Sequence, residues 1–275
     1  MSNKASLFFK QSVFCCLSLL LLSCSDEDRI CTTYYDSGEV RSTVPCPDGI
    51  RNGTMSIFHK SGTLWNTKEY VDGMVQDTMR FYYSRTGDVL RAVPMKDNEK
   101  HGRAVEFDKK GRLVKVIHYL VGLRDGPLET YYEDGQLREL TEYKEGNKHG
   151  KYQLKLEDGT LIKEGTYIQD MQYGKWRSFR PDGSQLASFS YYSGVRHGGF
   201  GVFRTNGMPY ITGTYYKGAI NGPIKYFSKG GEITYEMDFN VQGIYRDNKL
   251  KEAVIPFLPS NRFNIIINPD TVLIR

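Results

Sequence analysis

Three histidines, His101, His149 and His197, each stand immediately before a glycine and recur every 48 residues. Imidazole ligates transition metals and moves protons near neutral pH, so this set is the first place to look for chemistry. Asp134, Asp158 and Asp182 also each precede a glycine, and neighbouring carboxylates are the raw material of acid–base catalysis. His197-Gly198-Gly199-Phe200-Gly201 has the glycine density of a phosphate cradle. A P-loop, however, needs a Lys-Ser/Thr pair and a helix after its glycines, and the sequence offers neither. It also contains no nucleophile elbow, no zincin histidine pair and no kinase signature set.

The first 24 residues read as an export signal. Lys4 and Lys10 precede an apolar run from Val13 to Leu22, broken only by Ser18. The run is shorter than the roughly 20 residues of a bilayer-spanning helix and has the length of a signal-peptide core. It ends in Leu21-Leu22-Ser23-Cys24, which resembles the lipobox of bacterial lipoproteins. Residues 1–23 are expected to be cut away, leaving an acylated Cys24 that ties the chain to a membrane at roughly 0.8 kcal/mol per buried CH₂. A lipid-anchored place in the outer membrane or on the cell surface follows as an expectation. Residues 24–33, with Asp26, Glu27 and Asp28, are either a tether for surface display or a plain solvated spacer. Of the five cysteines, Cys15 and Cys16 leave with the leader. Cys31 and Cys46 remain in a compartment that permits disulfides. They are either bridged, at about 3 kcal/mol in the chain-entropy model, or two buried thiols. Two cysteines with no histidine in matching spacing make no zinc site.

Gly (28) and Tyr (20) are both abundant in the 275 residues, and the formal charge of +5 falls by two once Lys4 and Lys10 leave. Such a composition, with a mean hydropathy of −0.50, suits many short strands and turns rather than one large core. The charge forms no basic stripe, which argues against nucleic acid as a partner.

The positions of the glycines explain the composition. One row falls at 38, 62, 87, 111, 135, 159, 183, 207 and 231, every step being 24 except the 25 between Gly62 and Gly87. A second row is Gly53, Gly102, Gly126, Gly150, Gly174, Gly198 and Gly222, with Asp77 in the broken slot. Two aromatic rows run in phase: Tyr119, Tyr143, Tyr167, Tyr191 and Tyr215, and then Phe107, Tyr131, Phe179, Phe203 and Phe227, with Lys155 the exception. A fixed period of this kind marks a repeat array. Within residues 126–150, Leu128 and Thr130 alternate with Glu129 and Tyr131, and after Gly135 Leu137, Glu139, Thr141 and Tyr143 share a face. Period two means strands. Asp134-Gly135, matched by Asp158-Gly159, Asp182-Gly183 and Asn206-Gly207, is expected to form a type I′ turn with both centres at positive φ. A looser turn over residues 144–150 leads to the next hairpin.

The elements Asp158-Gly159-Thr160-Leu161, Tyr143-Lys144-Glu145-Gly146 and His149-Gly150-Lys151 resemble the MORN-repeat family in its bacterial variant form. The likeness covers residues 34–231 and departs at Asp77 and at Asp170, which stands where Y-x-x-G has its glycine. It implies an all-β fold, an elongated antiparallel ribbon of about eight or nine tandem hairpins, roughly 80 Å long at ~4.8 Å per strand. Residues 232–275 would cap its C-terminal edge, using Ile265-Ile266-Ile267 and Val272-Leu273-Ile274. On such a ribbon the three histidines lie about 19 Å apart, too far to share a metal ion. The aspartates become turn residues, and no catalytic residue, metal or cofactor is expected.

Bacterial MORN-variant proteins often carry antitoxin labels, which implies an immunity factor acting in the envelope. MORN repeats also accompany phosphatidylinositol phosphate kinases, but the residues after the array are too few for a kinase fold. The Tyr119–Tyr215 row either holds register through cross-strand pairs of roughly 0.2–1 kcal/mol each or, exposed, stacks sugars or grips an extended peptide. The reading is a non-enzymatic, membrane-anchored repeat protein that binds or organises a protein partner. Toxin neutralisation, and glycan or lipid-headgroup binding, are its alternatives.

Overall fold

The computed structural model describes residues 29–239. Cys24, the leader and the apolar triplets at 265–267 and 272–274 lie outside the described residues. The described chain is all-β, with twenty strands in one antiparallel sheet and a single 3-10 turn at Pro47–Gly49. The strands pair in sequence order from Ile30–Tyr34 at one end to Ile233–Phe239 at the other, the short Glu99–Lys100 and Ala219–Ile220 pairing with the same partner as the strand that follows each. Among the described residues those two end strands are not paired with each other, so the sheet is an open ribbon of hairpins, as the repeat implies.

The two long edges carry different turns, and their assignment reverses the sequence-based expectation. At Asp134-Gly135 only the glycine has positive φ, at 87°. The Gly135 N–H donates to the Tyr132 carbonyl and the Tyr132 N–H to the Gln136 carbonyl, which makes a three-residue loop ending in one left-handed residue. Asp134 stays at negative φ because its carboxylate accepts the Gln136 N–H at 2.9 Å. Asp158, Asp182 and Asn206 bond the N–H two residues on in the same way. The 25-residue step has its cause here: the loop between Tyr83 and Asp88 holds one extra residue, and the Gly87 N–H reaches the Tyr83 carbonyl. The type I′ turns sit on the opposite edge, where a loose connection is expected. Lys144 pairs with Asn147, and Glu145 (φ 50°) and Gly146 (φ 89°) are both left-handed. Asp170 fits its Y-x-x-G slot at φ 64°, and its carboxylate accepts the Lys148 N–H at 2.8 Å.

Hydrogen bonds between successive repeats stiffen both edges. On the type I′ edge, Gly122, Gly146, Gly194 and Gly218 donate their N–H to carbonyls of the preceding repeat, at Lys100, Arg124, Gln172 and Arg196. On the other edge side chains do this work. The hydroxyls of Tyr35, Tyr83 and Tyr132 and the guanidinium of Arg204 donate to the carbonyls of Phe58, Phe107, Lys155 and Phe227 in the following repeat. Asp108 occupies this row without a donor, and Arg112 spans the gap instead, pairing with Asp108 at 2.6 Å and Glu133 at 2.8 Å.

Most of the buried side chains lie on one face of this single-layer sheet, with Val116 and Ser188 buried on the other. The register places Leu128 against Thr141, Thr141 against Tyr152, Trp176 against Phe189, Phe189 against Phe200 and Ile224 against Met237. These residues form one line along the ribbon. Where glycines interrupt it, rings lie over the gap. A Cβ on Gly165 would fall inside the Trp176 ring, and one on Gly213 would meet Phe200 at 2.6 Å. Trp176 stacks on Tyr152 with centroids 5.4 Å apart, and Phe189 on Phe200 at 5.8 Å. Toward the N-terminal end the line continues through Val44, Tyr70 and Val75, packed beside Cys31.

Candidate functional site

The repeated tyrosines Tyr119, Tyr143, Tyr167, Tyr191 and Tyr215 all belong to this core face. Each faces a glycine of the second row on one side: Gly102, Gly126, Gly150, Gly174 and Gly198. Those glycines hold positive φ between 69° and 109°, a conformation cheap only for glycine, and a Cβ at Gly102, Gly126, Gly150 or Gly198 would meet Pro94, His118, Glu142 or Ser190 rather than the rings. On the other side a cation lies over most rings. Lys100 is 5.0 Å from the Tyr119 centroid, Arg124 4.3 Å from Tyr143, Lys148 5.0 Å from Tyr167 and Arg196 5.4 Å from Tyr215. The row is thus a ladder of alternating rings and cations, each such contact contributing about 0.5–1 kcal/mol where it is exposed to water. Tyr143 and Tyr215 are only 8% and 6% exposed, and burial pushes both phenols above their ordinary pKa. These rings have spent their faces on the fold, and the ladder presents its cations rather than open aromatic platforms.

The other expected features fall into structural places. His101, His149 and His197 follow the type I′ turns at the start of bulged strands, where register shifts separate the turn from the rest of the hairpin. No group of three or more His, Cys, Asp or Glu among the described residues is arranged to hold a metal ion. Cys31 and Cys46 form a disulfide with Cα atoms 5.7 Å apart, and Cys46 is fully buried.

One constellation escapes a search for rows. Tyr173, Tyr192, His197 and Tyr216 lie on four consecutive strands of the opposite face, with successive ring centroids 5.3, 6.1 and 5.2 Å apart. The three tyrosines are 37%, 58% and 41% exposed. Lys217 sits 5.5 Å over the Tyr216 ring, and Lys175, on the same face, is exposed. Beside this rail Lys175 pairs with Ser190 and Gly199 with Thr214; farther along the strands the Phe203 ring covers Gly201, whose partner Ser188 is buried. The signal that could have found the rail is the doublets Tyr191-Tyr192 and Tyr215-Tyr216. Adjacent strand residues point to opposite faces, so a doublet puts one ring on each.

Likeness to solved structures is slight. A chain in the crystal structure of TcdB2-TccC3-Cdc42 is 11% identical over 80% of this chain and 13% of that one, with a TM-score of 0.19. A chain in the structure of TcdB2-TccC3 is 12% identical over 78% of this chain and 16% of that one, with a TM-score of 0.16. At these values neither carries an argument, and this chain spans less than a fifth of either. No curated protein matches it. Within the array, residues 124–145 match the family model of the MORN repeat variant, a repeat that points to a binding or scaffolding protein.

Proposed function

We propose that the chain is a non-enzymatic lipoprotein of the bacterial envelope, anchored through Cys24, whose ribbon binds and organises another macromolecule. The supporting observation is the division of labour between the two faces. One face is filled largely by its own rings and cations, while the other leaves Tyr173, Tyr192 and Tyr216 exposed on a continuous sheet. A single-layer sheet of this kind offers extended surface and no enclosed cleft, which suits docking better than turnover. The leader and the Leu21-Leu22-Ser23-Cys24 sequence support the anchor.

The test is recovery of the full-length protein from its own envelope after mild cross-linking, beside a Cys24→Ala variant. A protein recovered in fixed proportion, together with loss of membrane association in the variant, is the expected result. Turnover of an envelope substrate by the purified mature chain would overturn the proposal, as would unchanged membrane association of Cys24→Ala.

A further inference from the structure

Charge is not spread evenly along the ribbon. Residues 29–170 carry 22 Lys and Arg against 22 Asp and Glu, whereas residues 171–231 carry eight against a single acid, Asp182. The exposed ring rail lies in this cationic sector. We infer that the rail face of the last hairpins, residues 171–227, binds an extended acidic polysaccharide, an inference that rests on the macromolecule-binding reading above and names its partner.

Three features of the face suit that ligand. The rings of Tyr173, Tyr192, His197 and Tyr216 run across four consecutive strands, along the ribbon rather than along any one strand. Tyr192 and Tyr216 are two strands apart, about 10 Å, close to the length of two linked pyranoses. The C–H faces of sugar rings pack on aromatic faces, while the phenol hydroxyls stay in reach of sugar hydroxyls. Lys175 and Lys217 flank the rail where carboxylate or sulfate groups of a chain lying along it would pass. Arg177, the next cation on this face, pairs with Glu164 at 2.8 Å and so marks the boundary with the charge-balanced repeats. The Ser190 hydroxyl, and the Thr214 oxygen whose proton goes to the Asn221 carbonyl, supply polar groups for sugar hydroxyls. Acyl chains would strand those groups without hydrogen bonds, which disfavours a lipid surface here. An added peptide strand would need a free sheet edge, and the rail spans strands paired on both sides.

The experiment is affinity electrophoresis of the mature chain through gels containing polygalacturonate, dextran sulfate or neutral dextran. Sedimentation with phosphatidylglycerol vesicles and binding to a single-stranded oligonucleotide complete the set. Polygalacturonate or dextran sulfate is expected to retard the protein and neutral dextran to leave it unaffected. Tyr192→Ala and Tyr216→Ala are each expected to weaken retention about tenfold, and Lys175→Gln with Lys217→Gln to weaken it and flatten its salt dependence. All four side chains are exposed, and circular dichroism of each variant checks that the sheet is kept. Equal retardation by neutral dextran would overturn the inference. So would retention unchanged by the ring variants, or binding to vesicles or oligonucleotide without binding to the acidic glycans. Any of these results leaves the cross-linking outcome free to support a protein partner.

Discussion

The two faces of this ribbon are built from the same strands and solve opposite problems. On the core face, side chains must exclude water with nothing packed above them, and they do so sideways. Trp176 covers Gly165, Phe200 covers Gly213, and cations lie over the tyrosine ladder. On the opposite face the middle repeats carry close polar pairs, such as Arg177 with Glu164 at 2.8 Å and the Tyr131 hydroxyl with Glu129 at 2.9 Å. The last hairpins carry rings beside lysines instead. The backbone frame is therefore indifferent to what the second face displays, because turns, bulges and core-face packing already hold it. A repeat protein with this division can vary one face for binding without losing register.

The contrast weakens at the N-terminal end, where the buried core shrinks to Val44, Tyr70 and Val75 and the Cys31–Cys46 bridge packs beside it. The largest effect is expected there. Replacing both cysteines by serine should cost about 3 kcal/mol in the chain-entropy model, measured by urea unfolding. The loss should be local, with amide exchange accelerating in residues 30–58 and not around Trp176. Uniform acceleration would mean that the ribbon unfolds as one unit. The faces themselves are tested by two alanines on glycines. Gly165→Ala forces Trp176 from its seat and should cost about 1–3 kcal/mol. Gly199→Ala, on the second face with open space around its Cβ position, should change thermal stability by no more than about 0.5 kcal/mol. Equal losses would erase the distinction between the faces.

How much of this was legible in the sequence depends on whether the signal lies in a residue's identity or in its pairing. The 24-residue glycine rows were visible because positive φ is cheap only for glycine, and Asp77 and Asp170 were visible as exceptions. The type of each turn was not visible. Asp-Gly suits a type I′ turn and a left-handed closing glycine equally well. The outcome depends on whether the flanking bonded residues are Tyr132 and Gln136 or Lys144 and Asn147. The tyrosine row could be counted, but its burial follows from sharing a face with Trp176, which only the register reveals. The braces on the three-residue-turn edge were hidden because Tyr35 and Arg204 do the same work with different letters. The ring rail was hidden because Tyr173 and His197 occupy slots that hold other residue types in neighbouring repeats.

The reversed turns give a smaller effect, and they test the edges that keep the two faces apart. Val121 is a β-branched residue held at φ 48° and 61% exposed, so little contact is lost when it is replaced. Val121→Gly should raise stability by roughly 0.5–1 kcal/mol, the left-handed strain relieved less the entropy of the added glycine. Asp134→Gly should act the other way, losing about 0.5–1.5 kcal/mol with the bond to the Gln136 N–H. Guanidinium midpoints of the two variants would show opposite signs. The same sign for both would return the type I′ turn to Asp134-Gly135.

The smallest effect concerns pH, and it separates buried rings from the rest. Burial raises the phenols of Tyr143, Tyr215 and Tyr226 on the core face. Tyr131, on the second face, is pushed up to about 12 by burial and then by its bond to Glu129. A raised value in the folded state means that the fold holds the proton more tightly than the unfolded chain, whose phenols titrate near 10. Stability from these groups is therefore whole below about pH 10 and declines as pH rises through the folded values. Tyr215→Phe cannot ionise, so it should begin slightly less stable at pH 8, having lost the hydroxyl that accepts from Arg196 at 3.4 Å, and should lose less of its urea midpoint by pH 11. Tyr131→Phe should begin slightly less stable at pH 8, having lost the bond to Glu129, and should likewise decline less steeply. If Tyr215→Phe declines as steeply as the parent, the phenol at position 215 is open to water. The core face would then be no better sealed than the face carrying Tyr192.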